Sequence, residues 1–494
     1  MHYSDLANMP LDALRRAGTY LSEAATPTLR LGVTGLSRAG KTVFITCLVR
    51  NLLVGGRLPF LSAYADGRVL SAHLEPQPDD EVPRFDYERH VACLTGAEPE
   101  WPESTRQISE LRLTLVYRPE GMLARMLGTH RLHIDIVDYP GEWLLDCALM
   151  SQSYRQWSAR AMSQAQSPLW RSTAQPWLAY ADGLDAAAAA DEQTAMAAAH
   201  AFTAYLKSAR AQVPALSTLG PGRFLMPGDL EGSPLLTFAP LTLPENGAIA
   251  SGSLAAMMER RYESYRSRVV KPFFRDHFSR LDRQIVLVDA LAALNHGAAA
   301  IDELSNALES ALEVFRPGAR SWLSAFLPRR IDRIVFAASK ADHLPQSSHD
   351  RLEALLRLIV ERAAERAESA GADIEVLALA ALRATTEVEV RRNSETLACI
   401  KGVPLAGERV GEVTFDGKRQ VALFPGDLDA DPRAVLAAAR TNSGRDRAGG
   451  NAVDVGFVRF RPPQASADES LRPAAWPHVR LDRALQHLLG DRLA

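Results

Sequence analysis

Cysteine is scarce: Cys47, Cys93, Cys147 and Cys399 are the only four in 494 residues. They lie far apart, with no Cys-x-x-Cys pair, which argues for reduced structural thiols and against a disulfide or zinc framework. His-Glu-x-x-His is absent too, so nothing points to a zinc hydrolase. A large excess of either charge is missing, since 56 Lys and Arg face 59 Asp and Glu for a net charge of −3, and no nucleic-acid-binding face is expected. Apolar runs are broken by charge well short of membrane-spanning length. The start, Met1-His2-Tyr3-Ser4-Asp5, lacks the basic opening and apolar run of a signal peptide. These absences together predict a cytoplasmic protein with no transmembrane segment. What is present is ordinary globular composition, 47% hydrophobic and 23% charged, in a chain long enough for roughly two to four structural units.

One stretch organises the rest. Gly35-Leu36-Ser37-Arg38-Ala39-Gly40-Lys41-Thr42 is a full G-x-x-x-x-G-K-[ST] phosphate-binding loop. Thr28 to Thr34 alternates and is β-branched, so it reads as a strand, and Val43 to Leu53 has helical spacing ended by Gly55-Gly56. Strand, glycine-rich loop and helix are the context the motif requires. Backbone N–H groups from Gly35 through Ser37, Arg38, Ala39, Gly40 and on to Val43 would face phosphate oxygens at the positive end of the helix. Lys41 would reach the β- and γ-phosphates, and the Thr42 hydroxyl would ligate Mg²⁺. A serine-hydrolase elbow fits poorly, because Ala39 stands where that turn wants glycine.

Further along, Leu6 to Leu21 has helical spacing, and 58–102 reads as a long irregular loop rich in proline, glycine and acid. Glu110 to Tyr117 and His130 to Val137 alternate strictly and predict an antiparallel pair. The second of these runs into Asp138-Tyr139-Pro140-Gly141-Glu142. A carboxylate at a strand end suits Mg²⁺, and the glycine three residues on can offer its N–H to a γ-phosphate. Residues 144–280 are rich in Ala and Gln with helical runs at Leu184 to Leu206 and Leu254 to Val269, and 218–247 reads as a surface excursion or a docking loop. Strands at Arg283 to Leu291, Ile331 to Ala338 and Asp373 to Ala380 alternate with helices at Ile301 to Phe315 and Leu352 to Ala370. That alternation predicts an α/β fold with a mostly parallel sheet. The expected division is 1–143 and 281–383 as two parts of a nucleotide domain, 144–280 as an all-helical insertion, and 384–494 as a β-rich extension. In the last part, a hairpin around Asp416-Gly417, a strand at Val453 to Phe460 and a closing helix at Val479 to Leu489 are expected.

Phosphate loops accept ATP and GTP alike, so the base is decided elsewhere. Ser339-Lys340-Ala341-Asp342 resembles the Asn/Thr-Lys-x-Asp motif of GTPases, in which the aspartate accepts from guanine N1–H and the 2-amino group. The lysine stem would cover the base and ribose, and the Ser339 hydroxyl would brace the phosphate loop. Together with Trp101-Pro102-Glu103-Ser104-Thr105-Arg106 and Asp138-Tyr139-Pro140-Gly141-Glu142-Trp143, the motif order and the helical insertion resemble the YcjX-like family of bacterial GTPases, associated with stress responses. The resemblance implies a Mg²⁺-dependent GTPase cycling between GTP and GDP, with Thr105 in the first switch completing the metal and γ-phosphate contacts. It also implies a loose fifth motif at Ala381 and Leu382. Glu142 takes the place where many GTPases carry a catalytic glutamine, and it either orients a water or simply starts a helix; Arg106 or Arg38 either supplies charge in cis or is a solvated surface arginine. A protein partner docking on the helical insertion is expected. Two other readings stay open: a scaffold for which nucleotide is structural, and an ATP-using phosphotransferase.

Overall fold

The structure, a computed structural model, describes residues 26–35, 38–103, 107–121, 128–212, 219–244, 247–311, 331–392, 395–441, 457–464 and 474–494. Its centre is a seven-stranded sheet in the order β2-β3-β4-β1-β5-β6-β7. The strands are β1 (Thr28–Gly35), β2 (Val69–Glu75), β3 (Ser109–Tyr117), β4 (His130–Asp138), β5 (Arg283–Val288), β6 (Arg333–Ala338) and β7 (Asp373–Ala378). β4, β1, β5, β6 and β7 run parallel, while β3 pairs antiparallel with β4 and β2 with β3. The mostly parallel sheet and the β3–β4 pair are as the alternation predicts.

Side chains alternate across the strands and divide the core in two. On one face Val286, Val288, Ile334 and Phe336 pack with Leu352, Leu355 and Ile359 of a long helix His349–Ser369. The same apolar core continues without a break into Trp157, Trp177 and Phe202, which lie in helices Tyr154–Ala165, Arg171–Asp182 and Glu192–Gln212. On the other face Leu31, Val33, Ile285 and Val335 pack with helix α1 (Lys41–Val54) and with Leu481, Leu485 and Leu488 of the closing helix Leu481–Leu489. Parallel strands covered on both faces are apolar on both, which is why their sequences read as runs. The C-terminus is stapled to the sheet by Arg283, 1% exposed, which donates to the Leu488 carbonyl at 2.7 Å and ion-pairs with Asp332 and Asp491.

Several expectations need revision. The stretch 58–102 is not irregular: it holds β2 and a helix Tyr87–Thr95. As an edge strand, β2 is exposed at three of its seven positions and fully buried at none, so its sequence shows little apolar pattern. Residues 219–244 are no surface excursion, since Phe224, Phe238 and Leu241 are buried among the helical residues. Beyond β7, β8 (Thr386–Arg392), β9 (Glu395–Gly402) and β12 (Val421–Leu423) form a small sheet in the order β12-β9-β8. The hairpin of this region pairs β10 (Arg409–Val410) with β11 (Val413–Thr414), turning at Gly411 and not at Asp416-Gly417. The Asp416 carboxylate instead accepts the Lys418 and Arg419 N–H groups, a local turn that returns no strand. Of Val453 to Phe460, only 457–460 are described, and there Phe460 makes a single bridge to Pro404. The expected helix at Leu6 to Leu21 lies outside the described residues.

Candidate functional site

The loop between β1 and α1 depends on backbone that side chains resist. Gly40 sits at φ 90° and Arg38 at φ 65°, and a glycine adopts this region without the Cβ penalty. The turn presses Ala39 into the core and sets Lys41 and Thr42 on the first turn of α1, each 7% exposed. Lys41 Nζ donates to the Gly35 carbonyl at 2.8 Å, so the ammonium is folded back into the loop. Thr42 Oγ1 donates to the Glu103 carbonyl at 3.4 Å. Asp138, 1% exposed, ends β4 in register with Val33, two residues before Gly35.

After Asp138 the chain enters the helical residues at once. Gly141 precedes a short helix Glu142–Leu145, and Glu142 is buried with its Oε1 accepting from Arg210 Nη2 at 2.7 Å. Its carboxylate is thus engaged by helix Glu192–Gln212. Next to it the Arg223 guanidinium lies 3.2 Å from the Trp143 ring centre. Asp146, 3% exposed, accepts from the Gly222 N–H at 2.6 Å and from the Tyr265 hydroxyl. Burial pushes its carboxyl up to about 6, against the lowering effect of those two bonds.

The second loop follows β6. Ser339 Oγ donates to the Val288 carbonyl at 3.3 Å, so it braces β5 and not the phosphate loop. The reason is order in the sheet, since β5 stands between β6 and β1. Lys340 lies at φ 62° and ion-pairs with Asp289. Asp342, 5% exposed, accepts the Ala384 N–H at 2.7 Å through Oδ2, and its carbonyl accepts from the Thr385 hydroxyl. Burial holds the neighbouring His343 below the usual imidazole range.

One cavity of about 390 Å³ joins these loops. Arg38, Ala39, Gly40, Lys41, Thr42 and Val43 line it after β1, Lys340 and Asp342 line it after β6, with β5 between those strands, and Ala381 and Leu382 line it after β7. Sites expected over some three hundred residues of sequence are therefore brought to one place. Ser37, Thr105 and Arg106 lie outside the described residues. Gly35, Asp138, Gly141 and Glu142 are not among the lining residues. Sequence reasoning did not assign to the cavity Trp101, Glu103, His343, Leu405 or Phe460, all of which line it. The only available hint was the aromatic pair Phe457 and Phe460 in a run read as strand.

Among the described residues no group of three or more His, Cys, Asp or Glu is placed to hold a metal. Thr42 and Asp138 are nevertheless hard oxygen donors beside the phosphate loop. That sparse set suits Mg²⁺, which keeps waters and takes one or two protein oxygens together with substrate phosphates. No described helix is long and apolar enough to cross a membrane.

A lysine-bearing loop at the head of a helix, a strand-end carboxylate beside it and a mostly parallel sheet are consistent with the P-loop class of nucleotide-binding folds. The model of the YcjX-like family, DUF463, matches residues 29–493, and the chain belongs to that family. It is 36% identical over 479 residues to the Ras-like GTPase YcjX of Escherichia coli (strain K12), covering 94% of this chain and 96% of that one. To the Ras-like GTPase YcjX of Shewanella oneidensis it is 34% identical over 503 residues, covering 97% of each.

Proposed function

We propose that this protein binds GTP with Mg²⁺, hydrolyses it to GDP and phosphate, and changes conformation with nucleotide state. The observation that carries the reading is the single cavity with Lys41 at one end and Asp342 at the other. In this reading the loop amides and Lys41 hold the β- and γ-phosphates, and Asp342 accepts guanine N1–H and the 2-amino group. Thr42 and Asp138, with Thr105 from the first switch, would hold the Mg²⁺, which supplies charge at the phosphates when bound. Gly141 would offer its N–H to the γ-phosphate, and the names of the two relatives support guanine as the base.

Conformational response has a short path. Gly141 is followed directly by Glu142, Trp143 and Asp146, each tied to the helical residues by Arg210, Arg223 and Tyr265. A shift of Gly141 with the γ-phosphate would be passed to those contacts. The helical block is accordingly the part proposed to meet a protein partner. One observation favours low turnover: Glu142 is held by Arg210, away from the cavity. Hydrolysis would then be slow until that pair opens or Arg106 or Arg38 supplies charge.

Asp342→Asn tests the base. It replaces an acceptor by an amide facing guanine's donors, while the 2-oxo group of xanthine gains a partner. Competition binding should show GTP affinity falling by up to ~10⁴-fold and XTP affinity rising. Equal preference for GTP and ATP in the natural protein, unchanged in the variant, would remove the guanine reading and leave an ATP-using site.

A further inference from the structure

The far wall of the cavity comes from two segments with no nucleotide motif. Trp101 is half-buried, and its Nε1–H donates to the Phe460 carbonyl at 2.7 Å across 359 residues of chain. Phe460, 1% exposed, places its ring edge-on to His343, with centres 5.2 Å apart. Its segment is fixed to the small C-terminal sheet: Leu405 N–H donates to the Arg459 carbonyl at 2.8 Å, and Arg461 N–H to the Val403 carbonyl at 2.7 Å. Gly402 leaves the room, since a Cβ there would meet Phe460 Cδ1 at 2.7 Å. Arg461 reaches back to the Pro99 carbonyl at 3.4 Å and the Gly417 carbonyl at 3.2 Å. The same C-terminal region holds Asp342 through Ala384 and Thr385.

Resting on the guanine-nucleotide reading, we propose that the hydrogen bond between Trp101 and Phe460 latches this wall of the cavity across the path of the nucleotide. Two cross-links tie neighbouring segments of its wall together. Thr42 to Glu103 joins α1 to the stretch before the first switch, and Trp101 to Phe460 joins that stretch to the C-terminal segment. Phe460 walls the base end beside His343, the neighbour of Asp342, and Trp101 closes the side between base and phosphates. Nucleotide enters and leaves when the Trp101–Phe460 bond opens. A latch of this kind slows both directions alike, because the open fraction multiplies association and dissociation equally. A mere contact with ligand would slow dissociation alone.

Trp101→Phe removes the N–H donor and keeps an aromatic ring. Stopped-flow binding of a fluorescent N-methylanthraniloyl GDP should show both rate constants rising about tenfold, with the dissociation constant within about threefold of the natural protein. Arg461→Gln loosens the same closure from the C-terminal side and should raise both rates by a smaller factor, with Trp101 intact. It decides the question if the first variant does not fold. Rates unchanged in a folded variant, or a faster dissociation with unchanged association, overturn the latch. The labelled ADP is run beside the GDP. If the natural protein takes both equally, the guanine reading fails, and the latch is then judged on the paired rates for either nucleotide.

Discussion

The two ends of the cavity are built in opposite ways. At the phosphate end, Arg38 to Val43 are consecutive residues, shaped by one glycine at φ 90° and the first turn of α1. At the base end, Asp342, Ala384, Leu405 and Phe460 come from separate segments held together by Asp342–Ala384, Trp101–Phe460 and the pairing of 403–405 with 459–461. A local end forms wherever its strand and helix form. An assembled end exists only once the C-terminal region has docked, so it can be tuned or opened without disturbing phosphate contacts.

The largest effect should come from emptying the local end of its charge. Lys41→Ala removes the buried ammonium proposed to meet the β- and γ-phosphates and should lower triphosphate affinity by roughly 10²–10³-fold. Calorimetric titration of the folded variant checks this, and near-natural affinity would contradict the phosphate-loop assignment.

Among the helical residues that follow Gly141, Asp146 has its carboxyl raised to about 6 by burial from an ordinary 3.8. Because the folded state holds the proton more tightly, its contribution to stability is present below about pH 4 and is lost as pH rises to about 6. The size is on the order of 3 kcal/mol. Asp146→Asn keeps both hydrogen-bond partners and cannot ionise, so denaturant unfolding should lose that part of its pH dependence. An unchanged slope between pH 4 and 6 would show that Asp146 titrates normally.

A smaller, matched pair of changes separates the ends by mechanism. Gly40→Ala meets nothing within 4 Å but is forced to φ 90°, a backbone cost of about 1–2 kcal/mol that should fall on phosphate binding. Gly402→Ala meets the Phe460 ring at 2.7 Å and should push back the base-end wall at about 1–3 kcal/mol. Binding of guanosine against pyrophosphate reads the two separately. Equal loss of both ligands in both variants would mean that the ends are not independent.

This contrast explains what was legible. Gly35 to Thr42 and Ser339 to Asp342 could be read because each chemistry sits within a few consecutive residues. The parallel strands could be read because burial on both faces makes them apolar runs. Phe460 could not, since its role depends on Gly402 and Trp101, which sequence distance hides. β2 escaped because an edge strand needs little apolar surface. Asp416-Gly417 misled because its turn is satisfied by its own backbone. Ser339 was placed on the wrong neighbour because strand order, with β5 between β6 and β1, is not written in the motif.

In the proposed function one nucleotide spans both ends of the cavity. Hydrogen exchange titrated with GDP and Mg²⁺ measures this at 38–44, at 379–384 and at 457–461 in a single experiment. All three segments should slow together, with one common midpoint in nucleotide concentration. Protection confined to 38–44, with the Ala384 and Phe460 amides exchanging as before, would contradict it.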